Sequence, residues 1–126
     1  MSAQAGDDVR TRRLADGYEI PLLGLGVWQV TDGQECVDAV RWALELGYRH
    51  IDTAQSYDTE ENVARAIRES GVRREDVFIT TKVATVNLAR KTFLPSVEES
   101  LRRHGIEVPF PQLRDGNLYY QLRSEA

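Results

Sequence analysis

The sequence predicts an α/β protein whose parallel strands are joined by helical crossovers. Three observations carry that prediction. Short apolar or β-branched runs begin near residues 22, 48 and 77, a rhythm of 26 and then 29 residues that suits βα units. Each run is followed by a helical stretch, the first two with apolar residues spaced three or four apart. Each helical stretch closes on a glycine, at Gly47, Gly71 and Gly105.

The elements follow in order. Residues 1–11 are small, polar and acidic and are expected to lack order. From Arg12 to Pro21, two short alternating segments flank Asp16-Gly17, the signal of a two-residue hairpin that Pro21 ends. Leu22 to Val27 reads as a short, fully buried strand, with Gly24 and Gly26 where something approaches closely. Thr31, with Gln34 three residues on, forms a capping box for a first helix carrying the stripe Val37, Val40 and Leu44. Tyr48 to Asp52 is the second strand and Thr53 to Thr59 a loop. Glu60 to Ser70 is the second helix, with Val63 and Ile67 on one face. Val77 to Thr81 is the third strand, rich in β-branched residues. After the loop 82–93, a third helix runs from Leu94 to His104, with Pro95 in its first turn. A fourth strand is due near residue 106. There Ile106-Glu107-Val108-Pro109-Phe110-Pro111 carries two prolines, which cannot both sit in a central strand. The patterned domain is therefore 12–105, and 106–126 is a divergent tail.

Composition narrows the function classes. With 41% apolar and 29% charged residues the chain is globular rather than disordered. A net charge of −4 does not favour nucleic acid or an acidic membrane surface as partner. No apolar run approaches the roughly 20 residues of a membrane span, and Met1 to Arg13 lacks the apolar segment of a secretory signal. The single cysteine, Cys36, rules out an internal disulfide and suits a reducing compartment, so a cytoplasmic location is expected. One cysteine and two scattered histidines give no metal-ligand spacing, and no metal is expected. The glycines at 24 and 26 lack the rest of a dinucleotide or phosphate-loop fingerprint.

The densest signal is Gly47-Tyr48-Arg49-His50-Ile51-Asp52-Thr53-Ala54-Gln55-Ser56-Tyr57-Asp58-Thr59-Glu60. A carboxylate emerges at Asp52, where a strand ends, and Tyr57 follows in the loop. The next strand also ends in a charge, at Lys82. Parallel strands joined by crossovers end on one side, so all three residues are predicted on the same face. The three types suit one task. A carbonyl that accepts hydride develops negative charge on oxygen and needs a proton donor held close. A tyrosine, with an ordinary pKa of about 10, holds its proton too tightly for that work at neutral pH. A neighbouring ammonium favours the phenolate, and a carboxylate beside the ammonium fixes its position.

These residues also carry a resemblance. Gly47 to Glu60 resembles the signature at the end of the second strand of the aldo-keto reductases. Leu23-Gly24-Leu25-Gly26-Val27-Trp28 resembles that family's first strand and loop, and Asp76-Val77-Phe78-Ile79-Thr80-Thr81-Lys82-Val83 its third strand with the catalytic lysine. The resemblance covers about residues 12–105. It implies an N-terminal hairpin plus about three βα units of a (β/α)₈ TIM barrel, incomplete because a full barrel needs about 250 residues. It implies Tyr57 as general acid, Lys82 as the group that eases its proton loss, and Asp52 as the partner of Lys82 beside the nicotinamide ribose. Val27 and Trp28 would line the cofactor and substrate end of the pocket. The implied cofactor is NADPH, bound weakly by this chain alone. The implied reaction is reversible reduction of a small aldehyde or ketone to an alcohol.

The departures from the family are specific. Its fourth catalytic residue, a histidine at the end of the fourth strand, has no counterpart: His104 falls on the third helix and His50 inside the second strand. The family's pyrophosphate and adenosine sites come from elements beyond residue 126. Ala64 stands where a glycine is frequent, and Ala84 where many members carry a tryptophan that lines the substrate pocket. Three readings follow: a truncated reductase inactive alone; a part-barrel that completes its site with a second copy or a complementing barrel fragment; or a non-enzymatic module on the same scaffold. Outside the site, His50 is expected to be a hydrogen-bonded structural residue, Cys36 an inert core residue, and Arg102-Arg103 a solvated face at a helix C-terminus.

Overall fold

A computed structural model describes residues 9–105 of the chain. The prolines due in a fourth strand, the tail 106–126 and most of the segment 1–11 lie outside the described residues. Strands β1 (Thr11–Arg13) and β2 (Glu19–Pro21) form the expected antiparallel hairpin, with Arg13 opposite Glu19. Its turn is longer than the two residues expected. The Leu14 N–H donates to the Tyr18 carbonyl at 2.7 Å and the Gly17 N–H to Leu14 at 2.9 Å, which leaves residues 15–17 in the loop. Gly17, at φ +93°, supplies the left-handed residue that a three-residue hairpin loop requires.

The sheet follows as β3 (Leu25–Gly26), β4 (His50–Asp52) and β5 (Phe78–Thr80), all parallel, in the order β3-β4-β5. Helices α1 (Gly33–Glu45), α2 (Glu60–Ser70) and α3 (Arg90–Arg103) alternate with them. This is the predicted architecture: a hairpin and three βα units of a (β/α) barrel. The register pairs His50 with Phe78, Ile51 with Ile79 and Asp52 with Thr80. Because strand side chains alternate, Ile51 and Ile79 point to one face. There they join Val37, Val40 and Leu44 of α1 and Val63, Ala66 and Ile67 of α2 in a single buried core. His50, Asp52, Phe78 and Thr80 share the opposite face and are only partly buried. On that face His50 Nε2 lies 2.8 Å from Thr80 Oγ1 and its ring meets Phe78 edge-on, the structural role expected of it. A Cβ on Gly24 would sit 3.0 Å from the His50 ring and carbonyl oxygen, so what approaches this glycine is the neighbouring strand. Cys36 is fully buried in the core, and burial pushes its thiol pKa up.

Several local expectations are corrected. The run Leu22–Val27 is not a fully buried strand. Only Val27 of it is buried, while Leu22 and Leu23 are 57% and 63% exposed. A parallel strand is buried only where both faces are covered, and among the described residues only the helical side is. The cap of α1 is Asp32, not Thr31: Asp32 Oδ1 accepts from the Glu35 N–H at 3.0 Å, a negative charge at the helix N-terminus. Helix α3 starts a turn earlier than expected, because the Ala89 carbonyl accepts from the N–H groups of Thr92 and Phe93, each at 3.0 Å. Pro95 therefore lies inside the helix rather than in its first turn, and forgoes one helical hydrogen bond. Helix α2, by contrast, has the bounds expected, closed by Gly71 at φ +82°.

Candidate active site

The ladder continues past the strand ends and brings the sequence-predicted residues together. The Val27 N–H donates to the Asp52 carbonyl at 3.1 Å, the Thr53 N–H to Thr80 at 2.7 Å, and the Gln55 N–H to Lys82 at 3.1 Å. Asp52 and Lys82 thus leave adjacent strands side by side. The Lys82 ammonium donates to Asp52 Oδ1, to the Thr53 carbonyl at 3.0 Å and to the Tyr57 hydroxyl oxygen at 3.3 Å. An ammonium has three donors, and all three have partners here. Partial burial works against the charge on Lys82, but the hydrogen bonds with Asp52 and Tyr57 outweigh it and hold its pKa above the ordinary lysine value. The side chains remain open, Lys82 at 48% and Asp52 at 39% exposure.

Tyr57 is positioned by the loop between β4 and α2. Residues Gln55–Tyr57 form a 3₁₀ turn, and Asp58 follows at φ +60°, a conformation that aspartate tolerates better than most residues. The buried hydroxyls of Thr53 and Thr59, 2.9 Å apart, tie the two ends of this loop. Val27 and Trp28 follow β3, but the Val27 side chain packs into the helix-side core with Ile51 and Ile79 and does not line the open face, as was expected of it. Val27 is fully buried, whereas Trp28 is 67% exposed.

Two polar groups that the sequence reading passed over build the platform beneath. The Gln55 amide has five hydrogen-bond partners, in the loop after β5 and in α3. Glu60 is 2% exposed at the start of α2. Its Oε2 accepts from Thr81 Oγ1 at 2.6 Å and faces His104 Nε2 at 3.6 Å. Its Oε1 accepts from Arg103 at 2.8 Å and Ser100 at 3.2 Å. Burial alone would raise the pKa of this carboxyl, but His104, Thr81 and Arg103 together bring it down to about 2. Arg103 is therefore not part of a solvated face, as expected for the Arg102-Arg103 pair. Only Arg102 stays mostly exposed, at 61%. One signal could have found Glu60: a carboxylate in the first turn of a helix whose Val63 and Ile67 face inward.

No helix among the described residues is long and apolar enough to cross a membrane. Among the same residues no cluster of histidine, cysteine and carboxylate side chains is placed to hold a metal ion.

Comparison with known proteins places the chain in a family. The model of the aldo/keto reductase family matches residues 22–108. The chain is 49% identical over 94 residues to the 9,11-endoperoxide prostaglandin H2 reductase of Trypanosoma cruzi, covering 75% of this chain and 33% of that protein. It is 46% identical over 93 residues to the glyoxal reductase of Bacillus subtilis, covering 74% and 34%. Among solved structures, an aldo/keto reductase from Brucella melitensis superposes with a TM-score of 0.71 at 46% identity, over 77% of this chain and 38% of the other. A Bombyx mori aldo-keto reductase in complex with NADP gives 0.71 at 40% identity, over 77% and 34%. The chain thus spans about a third of the length of the curated relatives it matches. With a family match over most of the described residues, at close to half identity to curated members, this chain belongs to the aldo/keto reductase family.

Proposed function

We propose that this chain carries the proton-donating face of an NADPH-dependent carbonyl reductase, with Tyr57 as the general acid. The observation that carries the reading is the contact of Lys82 Nζ with the Tyr57 hydroxyl, 3.3 Å, on an ammonium also gripped by Asp52. The Tyr57 oxygen accepts from the ammonium, so its own O–H is left to donate outward. A carbonyl oxygen seated there takes that proton as negative charge develops on it. The phenolate left behind faces a fixed positive charge, and Asp52 keeps that charge in place. NADPH, when bound, supplies the hydride.

The residues present fit the nicotinamide end of such a cofactor. Asp52 engages Lys82 through Oδ1, which leaves its second oxygen for a ribose hydroxyl, and the exposed Trp28 indole offers a flat apolar face. Val27 holds that segment to Asp52 through its backbone. A site limited to this end binds the cofactor weakly. The relatives named as glyoxal and methylglyoxal reductases support a small aldehyde or ketone as substrate. A cytoplasmic location belongs to the same reading, supported by the lone buried thiol of Cys36.

The test is NADPH oxidation by the purified chain with methylglyoxal and with an aromatic aldehyde, beside Tyr57→Phe. The substitution is expected to slow turnover by about 10²–10⁴-fold. Equal rates in both proteins, or none in the unsubstituted chain, would overturn the reading for this polypeptide.

A second reading is that the site works only in an assembled part-barrel, formed with a second copy or a complementing barrel fragment. It is favoured by the exposed Leu22, Leu23 and Trp28 and, among the described residues, by the unpaired outer edges of β3 and β5. Light scattering across a concentration series, with turnover followed in parallel, checks it. A monomer that turns over would rule it out.

A further inference from the structure

The Gln55 side chain bridges two segments that its own backbone does not adjoin. It stands between Asp52 and Tyr57 in the chain, and its amide reaches two other segments. Oε1 accepts from the Ala84 N–H at 2.8 Å and from Asn87 Nδ2 at 2.9 Å. Nε2 shares its two hydrogens among three acceptors, the Ser96 carbonyl at 3.1 Å, Ser96 Oγ at 3.2 Å and Ser100 Oγ at 3.1 Å. The amide cannot be reversed, because one end meets a backbone N–H and the other a backbone carbonyl. The Gln55 backbone N–H donates to the Lys82 carbonyl at 3.1 Å. One residue therefore joins the turn that carries Tyr57, the strand end that carries Lys82, the loop after it and α3.

We infer that Gln55 is a positioning residue, which sets the contact between Tyr57 and Lys82 by locking the 3₁₀ turn 55–57 to the loop 84–87. The inference rests on the reading of Tyr57 and Lys82 as a working pair. Its logic is mechanical. The two residues reside on different loops, and 3.3 Å is near the limit of a hydrogen bond. A small drift of either loop would break it. The hydroxyls on either side of the clamp extend it: Ser100 also donates to Glu60, and Glu60 accepts from Thr81, the residue before Lys82. Lys82 is thus flanked on both sides by groups tied back to α3.

Amide hydrogen exchange on the full chain tests this, with Gln55→Met and Gln55→Glu beside the unsubstituted protein. Methionine keeps the length and removes every polar atom, leaving the Ala84 N–H without its acceptor. Glutamate keeps the acceptor for Ala84 and Asn87 but sets an oxygen against the Ser96 carbonyl. In Gln55→Met the amides of positions 55, 57 and 84 are expected to exchange about tenfold faster, while the α1 and α2 core is unchanged. In Gln55→Glu the Ala84 amide stays protected and acceleration is confined to α3. Acceleration confined to α3 in Gln55→Met would make Gln55 a mere anchor for that helix and overturn the proposal, as would no change anywhere. Should Gln55→Met not fold, Gln55→Glu decides alone: loss of Ala84 protection there overturns the clamp. The two readings fail separately. Turnover indifferent to Tyr57→Phe would remove the reductase reading and leave the exchange result standing. Unchanged exchange at position 57, with Tyr57→Phe inactive, would remove the clamp and leave the reductase.

Discussion

Between Asp52 and Glu60 the chain supplies one carboxylate to each of two clusters, and the clusters are built in opposite ways. Asp52 stands 39% exposed, with Lys82 as its charged partner. Glu60 stands 2% exposed, with Thr81, Ser100 and Arg103 as donors and His104 at 3.6 Å. The difference separates two demands on a polar group. A reacting face must stay open, with hydrogen-bonding capacity left for a substrate. A platform must pair its polar atoms, because each buried one left unpaired costs stability. Both Glu60 oxygens accept hydrogen bonds, although the ring nitrogens of the adjoining His104 are buried with no hydrogen-bond partner. The two are joined through neighbouring residues, since Thr81, which donates to Glu60, directly precedes Lys82 in the chain.

The largest effect expected from this contrast is on the platform. Glu60→Ala leaves the Arg103 guanidinium without its buried anion and the Thr81 and Ser100 hydroxyls without an acceptor. A loss of about 3–5 kcal/mol in urea unfolding is expected. A loss below about 1 kcal/mol would show that the Glu60 contacts with Arg103, Thr81 and Ser100 are not formed in solution.

Acid tests the same carboxylate without a mutation. Its folded-state pKa, about 2, lies below the ordinary 4.5. A depressed pKa means that the contribution is fully present above the unfolded value and is lost as pH falls from there through the folded one. Glu60 is thus expected to contribute about 3 kcal/mol at neutral pH that fades between pH 4.5 and about 2. Glu60→Gln should remove most of that slope in unfolding curves taken across this range. A slope equal in both proteins would place the acid sensitivity elsewhere.

Most of this arrangement was legible in the sequence where its signals are local. Helix α2 has its expected bounds because Gly71 stops it and Glu60 opens it within a few residues of chain. Asp52, Tyr57 and Lys82 come together because parallel strands end on one side, which the βα rhythm alone implies. What escaped depends on groups distant in sequence. The run Leu22–Val27 reads as a buried strand on composition, but its burial depends on a cover that only the helices supply on one face. Pro95 reads as a first-turn residue, yet the Ala89 carbonyl starts α3 a turn earlier. Arg103 reads as solvated beside Arg102, and nothing in its own segment points to Glu60 across the fold. Gln55 has no periodicity to mark it, since its partners lie on a loop and a helix far along the chain.

On the open face the expected effect on stability is smaller. Lys82→Met removes an ammonium that is 48% exposed, from a pair that water screens. Unfolding should shift by no more than about 1 kcal/mol, while turnover falls together with that of Tyr57→Phe. A loss as large as that of Glu60→Ala would erase the distinction between the two clusters and make Lys82 a structural residue.

The smallest structural effect belongs to Trp28, and it sharpens the contrast most. An indole 67% exposed contributes little to folding, so Trp28→Ala should change unfolding by no more than about 0.5 kcal/mol. A large apolar ring left open one residue after the backbone contact of Val27 with Asp52 has a use only if something covers it, and the proposed reading assigns the nicotinamide end of NADPH to that role. The chain has a second exposed tryptophan, Trp42 on α1, as an internal control. NADPH should quench the protein fluorescence, the quenching should vanish in Trp28→Ala, and it should persist in Trp42→Phe. Quenching that survives in Trp28→Ala would move the cofactor away from this wall, and the openness of the face would then serve substrate or partner rather than nicotinamide.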